Sequence, residues 1–217
     1  VELSDPTSTR QIVLNTTSDI LSEKEVRIAL QHATNKQNIS DGIFYGLEKP
    51  ADTLFASTVP YCDIELEPYV YDLELAGQIL DEAGWKMGSG NVREKDGQPL
   101  NIDLLYNSDS VTEKSIAEYL QSEYQSIGVS LNIHGEEEQS YRDNMKAGNF
   151  DMVFNICWGT PYDPQSSLAA MRAPVYGDYA AQLGLDDKAE IDDAITEILI
   201  TTDENRRQEL YTYVLTH

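Results

Sequence analysis

Apolar and polar residues alternate along residues 129–133, where Val129, Leu131 and Ile133 are separated by Ser130 and Asn132. That period of two belongs to a half-buried strand. Residues 11–15, 100–106 and 150–157 read as further strands. Between them the apolar period lengthens to that of a helix. Val26, Ala29, Leu30 and Ala33 share one face behind the capping box Ser22-x-x-Glu25. A short helix follows over about 36–45, and Gly46 can end it. Asp72 can cap a helix carrying Leu73, Ala76, Ile79, Leu80 and Ala83, closed by Gly84. Ser110-x-x-Glu113 is a second capping box; its helix carries Ile116, Leu120 and Ile127 and stops at Gly128. A helix near 137–147 precedes the strand over 150–157, and a helix-like stretch follows it. Two more helices are predicted over 187–200 and, after Thr202-Asp203, over 204–216. Residues 47–71, with Pro50, Pro60 and Pro68, have little periodicity and read as a long surface loop with a functional or wrapping part. Gly88, Gly90 and Asp96-Gly97 mark an irregular hairpin-like stretch.

Strands that alternate with helices predict an α/β fold, a largely parallel or mixed central sheet flanked by helices. In such sheets ligands bind at the carboxyl ends of the strands. One such end carries Cys157-Trp158-Gly159-Thr160-Pro161-Tyr162-Asp163-Pro164. Two aromatic rings, a turn that admits close backbone approach and an acid lie within six residues there, which suits a binding loop. The plainer reading is a strand exit whose Trp and Tyr pack back onto the fold, and composition weights the two about equally.

Charge narrows the field. The 217 residues hold 15 Lys and Arg against 38 Asp and Glu, a net charge of −23. That argues against nucleic acid and against an anionic membrane surface as direct partners. Most of the acidity reads as solubility. No stretch has the apolar length of a membrane span, and Val1-Glu2-Leu3-Ser4-Asp5 is polar, unlike a secretion signal. Cys62 and Cys157 form no CxxC and lie far apart, so two free or buried thiols are expected in preference to a bridge.

No GxSxG, HExxH, P-loop or calcium-loop pattern is present. The histidines, His32, His134 and His217, lack partners at metal-ligand spacing. His32 reads as a packed or capped core histidine. Glu136 to Glu138, after His134, read as acids at the start of the next helix. No catalytic residue and no protein metal ligand is assigned. Asp163 beside Tyr162 is a weak acid/base candidate without a nucleophile.

Several runs carry a resemblance. Val26-Arg27-Ile28-Ala29-Leu30-Gln31-His32-Ala33, Ala51 to Ala56 followed by Val59-Pro60-Tyr61, Ala83-Gly84-Trp85 and Asp96-Gly97-Gln98-Pro99-Leu100 resemble the extracytoplasmic solute-binding proteins of the oligopeptide/dipeptide/nickel class of ABC importers. The likeness covers nearly the whole chain. The run from Trp158 to Pro164, continued by Ser167-Leu168-Ala169-Ala170-Met171-Arg172, is narrower and resembles the nickel branch. The resemblance implies one lobe, residues 1–217, of a two-lobe receptor with a type II periplasmic-binding-protein-like fold, its secretion signal outside these residues. It implies a monomer, periplasmic or lipid-anchored at the cell surface, that meets the membrane only through an anchor or the permease subunits it serves. The implied function is non-enzymatic, with no cofactor: nickel is the transported ligand.

The same resemblance puts Trp158 and Tyr162 in the pocket, with Asp163 beside them, and Tyr141 within one position of another pocket tyrosine. Arg172 matches the class's Met-Arg pair and reads as a structural ion-pair partner. Relatives that bind nickel through a protein histidine carry it a few residues after that pair, and here Tyr176 stands in its place. A phenol, with a pKa of about 10, is a poor nickel ligand at neutral pH. A nickel–chelator complex, held by aromatic contacts and hydrogen bonds, is therefore the expected ligand, with arginines of the other lobe pairing its carboxylates. A peptide or opine receptor of the same class is the alternative. A metal-dependent hydrolase, motivated only by the carboxylate excess and Asp163, is the remote third reading.

Overall fold

The computed structural model describes residues 6–158, 164–174 and 177–217, with the backbone alone at Trp158. Strand β1 (Ser8–Leu14) leads into helices α1 (Lys24–His32), α2 (Lys36–Ile43) and α3 (Leu73–Glu82). The short strands β2 (Lys86–Met87), β3 (Arg93–Lys95) and β4 (Gln98–Pro99) follow, then β5 (Asn101–Asn107), α4 (Val111–Ser126), β6 (Ser130–Glu136), α5 (Glu138–Ala147) and β7 (Met152–Trp158). Helices α6 (Pro164–Ala170), α7 (Gly177–Leu183), α8 (Lys188–Ile200) and α9 (Glu204–Thr216) complete the described chain.

The main sheet has the order β1-β7-β5-β6. Strand β5 runs parallel to β6 and to β7, while β1 runs antiparallel to β7. The sheet is thus mixed, as the α/β reading allowed. Strands β2, β3 and β4 form a separate antiparallel sheet where the hairpin-like stretch was expected. In β5 the consecutive residues Leu104 and Leu105 are both buried, so both faces of the main sheet are covered. On one face Ile102, Leu104, Leu131, Met152 and Phe154 join α1, α3 and α4 in a single core. On the other, Val13, Leu105 and Val153 pack with Tyr141 and Met145 of α5 and Ala180 of α7. A third cluster joins Phe55, Val59, Cys62 and Cys157 to α6, α8 and α9.

Side-chain caps open four of the described helices, α2, α3, α4 and α9. Asp72 accepts from Leu75 N at 2.9 Å, and Asp203 caps α9 through Asn205 N and Arg206 N. The Ser22 box does not form: α1 begins at Lys24 behind Glu23, and Ser22 Oγ instead donates to Asp19 O at 3.1 Å. Glu23 is drawn to Trp85 Nε1 and Lys95 Nζ, a tertiary pull on a residue beside the box. The Ser110 box forms by half. Ser110 Oγ accepts from Glu113 N at 3.2 Å, but Glu113 reaches on to Asn107 N. Asn35, unremarked in the sequence, caps α2 by accepting from Asn38 N.

Residues 47–71 carry no helix or strand and wrap the surface. Lys36 Nζ donates to Ala51 O and Asp52, and Tyr61 stacks on Tyr211 of α9 with centroids 4.9 Å apart. His32 is half-exposed rather than in the core. Its Nδ1 donates to Val70 O at 2.7 Å and its ring meets the edge of Tyr69, so it ties down this loop. Cys62 and Cys157 are both buried and are not bridged to each other, as expected.

Candidate ligand-binding edge

The three parallel strands point their carboxyl ends to one edge, β5 and β6 ending level at Asn107 and Glu136 and β7 running on to Trp158, and antiparallel β1 brings Ser8 opposite Trp158. Strand β7, held between β1 and β5, brings the backbone of Trp158 to this edge. Tyr162, Asp163 and Tyr176 lie outside the described residues, as does the side chain of Trp158.

Beneath Trp158 the edge is firmly supported. Cys157 is 4% exposed; burial pushes its thiol up to about 11, although a hydrogen bond with Ser167 opposes the shift. It is a packing residue, not a thiolate ligand. Tyr141 is 7% exposed, and its hydroxyl donates to the backbone carbonyl of Phe154 in β7. Burial is the largest cause that raises its pKa, with Glu113 and Glu138 adding to it. The phenol is thus spent on the strand that carries Trp158. Arg172 is exposed, and no ion pair to it is seen among the described residues.

A polar collar surrounds the end of β5. Asn107 N donates to Glu113 Oε2 at 2.9 Å, its side-chain amide donates to Glu138, and Arg142 Nε donates to the same Glu138 carboxylate. Burial raises the pKa of Glu113 above the usual carboxylate range. His134 Nε2 lies 3.3 Å from Asp103 Oδ1 in an exposed groove of about 550 Å³ that also contains Asp19, Glu136 and Asp151. Among the described residues no three His, Cys, Asp or Glu side chains gather as a metal ion would need.

Residues 1–178 match the family of bacterial extracellular solute-binding proteins, family 5 Middle. The chain belongs to this family. This family 5 protein is 43% identical, over 216 residues, to the nickel-binding periplasmic protein of Escherichia coli (strain K12); the match covers 99% of the chain and 41% of that relative. It is 26% identical over 191 residues to the dipeptide-binding protein of the same organism, covering 88% of the chain and 34% of the relative. The crystal structure of NikA from Brucella suis in complex with Fe(III)-EDTA superposes with a TM-score of 0.95 at 47% identity, over 99% of this chain and 43% of that one. The chain therefore spans about two fifths of the length of the nickel-binding relative. Among the described residues no helix is long and apolar enough to cross a membrane.

Sequence reasoning passed over one group at this edge of the fold. Asp178, in the first turn of α7, accepts from Gln11 of β1 and Asn155 of β7. The Asp at a helix start and the strand amides were visible separately. Their meeting spans 167 residues, and no local pattern encodes it.

Proposed function

We propose that residues 1–217 form one lobe of an extracytoplasmic receptor that binds nickel wrapped in a small chelator, in a cleft between two lobes, and passes it to an ABC permease. The observation that carries this reading is the 43% identity to a nickel-binding periplasmic protein over 99% of the chain. It is supported by the end of β7 standing at the carboxyl edge of the sheet, where open α/β sheets take their ligands. Trp158 and Tyr162 supply flat apolar faces for the complex, and Asp163 and Tyr176 supply hydrogen-bonding groups. Tyr141 holds the strand beneath them. Tyr176 favours a chelated metal over a bare one, since a neutral phenol coordinates nickel poorly. The receptor is a monomeric binding protein and not an enzyme. Nickel is its cargo, and its net charge of −23 disfavours nucleic acid.

The test is isothermal titration of the full-length receptor with nickel chloride, alone and premixed with L-histidine, beside Trp158→Ala. Heat with the premixed complex alone, lost in the variant, is expected. Heat with bare nickel that survives the substitution moves the site elsewhere. The identity to a dipeptide-binding protein keeps a peptide receptor as the second reading. It takes over if short peptides raise the melting temperature and the nickel complex does not.

A further inference from the structure

On the face of the main sheet that meets α7, cross-strand pairs of β1 and β7 follow one another: Val13 with Val153, Gln11 with Asn155, and Thr9 with Cys157. Residues two apart in a strand share a face, so the three pairs form a ladder that climbs toward Trp158. The start of α7 is seated on the ladder. A Cβ on Gly177 would stand 3.0 Å from a Val153 methyl and 3.4 Å from the Val13 methyls, so the helix rests on the first pair. The next residue, Asp178, meets the second pair. Gln11 Nε2 donates to its Oδ1 at 2.8 Å, and Asn155 Nδ2 donates to its Oδ2 at 2.7 Å.

The far end of the helix is tied to Thr16, whose N and Oγ1 donate to Ala180 O at 3.1 Å and whose Oγ1 accepts from Gly184 N at 2.8 Å. The seat therefore has two anchors, one at each end of α7. Burial raises the pKa of Asp178, so the ionised carboxylate is costly where it stands, and the two amide donors oppose that cost.

We propose that Asp178 is a positioning residue for the ligand edge: by bridging Gln11 and Asn155 it fixes the start of α7 against the strand that ends at Trp158. Both of its oxygens are already occupied by amides, so it acts through the two strands and not as an anionic contact to the cargo. This rests on the reading that ligand binds at the end of β7.

Labelling the full-length receptor with 5-fluorotryptophan gives fluorine resonances for Trp85 and Trp158, each assigned by its loss in Trp85→Phe or Trp158→Phe. Asp178→Ala is expected to move the Trp158 resonance and leave that of Trp85. Asp178→Asn is expected to move neither, because its amide can accept from one strand amide and donate to the other once that one flips. In titrations of the full-length receptor with nickel chloride premixed with L-histidine, Asp178→Ala should weaken binding about tenfold and Asp178→Asn should stay within about threefold of wild type. Equal losses in the two variants would make charge the operative property and overturn the positioning role. An unmoved Trp158 resonance in Asp178→Ala would overturn it as well. If the wild-type receptor ignores nickel–histidine, the functional reading fails while the fluorine spectra still decide the clamp. Should Asp178→Ala lose its fold, Asn155→Ala removes one arm and is read by the same spectra, a shifted Trp158 resonance supporting the clamp and an unmoved one overturning it.

Discussion

Arg93 and Asp81 form an ion pair in which only the cation is buried. Arg93 is 6% exposed, whereas the Asp81 side chain is half-exposed. Arg93 Nη1 donates to Asp81 Oδ1 at 2.9 Å and to Trp85 O at 2.7 Å, and its Nε donates to Ile127 O at 2.7 Å. One side chain thus ties the end of α3, the turn to β2 and the end of α4 together. The two carbonyls have no water to fall back on, while the carboxylate does.

Replacing the two partners should therefore cost unequal amounts. Arg93→Met leaves two carbonyls short of a donor and should cost about 2–4 kcal/mol. Asp81→Asn should cost under about 1 kcal/mol, because an exposed carboxylate is screened. Urea unfolding of both variants decides it, and equal losses would mean that the ion pair outweighs the carbonyl bonds. The hydrogen bond from Arg93 holds the Asp81 carboxyl below its ordinary value, so whatever stability the pair adds is present above that value and is lost as pH falls through the lowered one.

Glu113 has the opposite sign. Burial raises its pKa, so the folded state holds the proton more tightly than the unfolded chain does. The linked stability is present below the ordinary carboxylate pKa and is lost as pH rises through the folded value. Glu113→Gln keeps an oxygen to accept from Asn107 N while discarding the buried charge. It should raise the melting temperature at about pH 7 and leave it nearly unchanged at about pH 4. Calorimetry at both values checks this; a lowered melting temperature at the higher pH would show that the ionised carboxylate is wanted there.

The helices were legible wherever an apolar stripe and a local cap coincided. The periodicity of α9 and its Asp203 cap both lie within neighbouring residues, and its predicted span of 204–216 is the observed one. Ser22 shows the limit of such signals, because a tertiary contact of Glu23 with Trp85 and Lys95 displaced the local box. Helix α7 was missed: it is short, and what holds it are Thr16, Gln11 and Asn155, all remote in sequence. The end of β7 at Trp158 was legible, because its apolar run stops there ahead of Gly159 and Pro161. The antiparallel seating of β1 beside it was not, since alternation predicts elements and leaves their order open.

Tyr141→Phe separates support from contact. The substitution removes the donor to Phe154 O and leaves the ring in place. It should cost about 1–2 kcal/mol in urea unfolding. Affinity of the full-length receptor for the nickel–histidine complex should stay within about threefold. An affinity loss beyond that, with stability unchanged, would place the hydroxyl against the ligand.

Two glycines should fail for different reasons. Gly148 ends α5 at φ 71°, and nothing lies within 4 Å of where a Cβ would be. Gly148→Ala therefore meets only backbone strain, about 1–2 kcal/mol. At Gly184, just past α7, a Cβ would stand 2.3 Å from the carbonyl oxygen of Thr16, and that atom belongs to backbone and cannot swing away. The same Thr16 anchors Gly184 N and Ala180 O. Relieving the clash must therefore lift the end of α7 from β1 and break the anchor that holds it. Gly184→Ala should cost about 2–3 kcal/mol and, unlike Gly148→Ala, should speed amide exchange along α7. Similar unfolding midpoints with unchanged exchange in α7 would mean that this seat yields freely. The Asp178 end would then hold the helix alone.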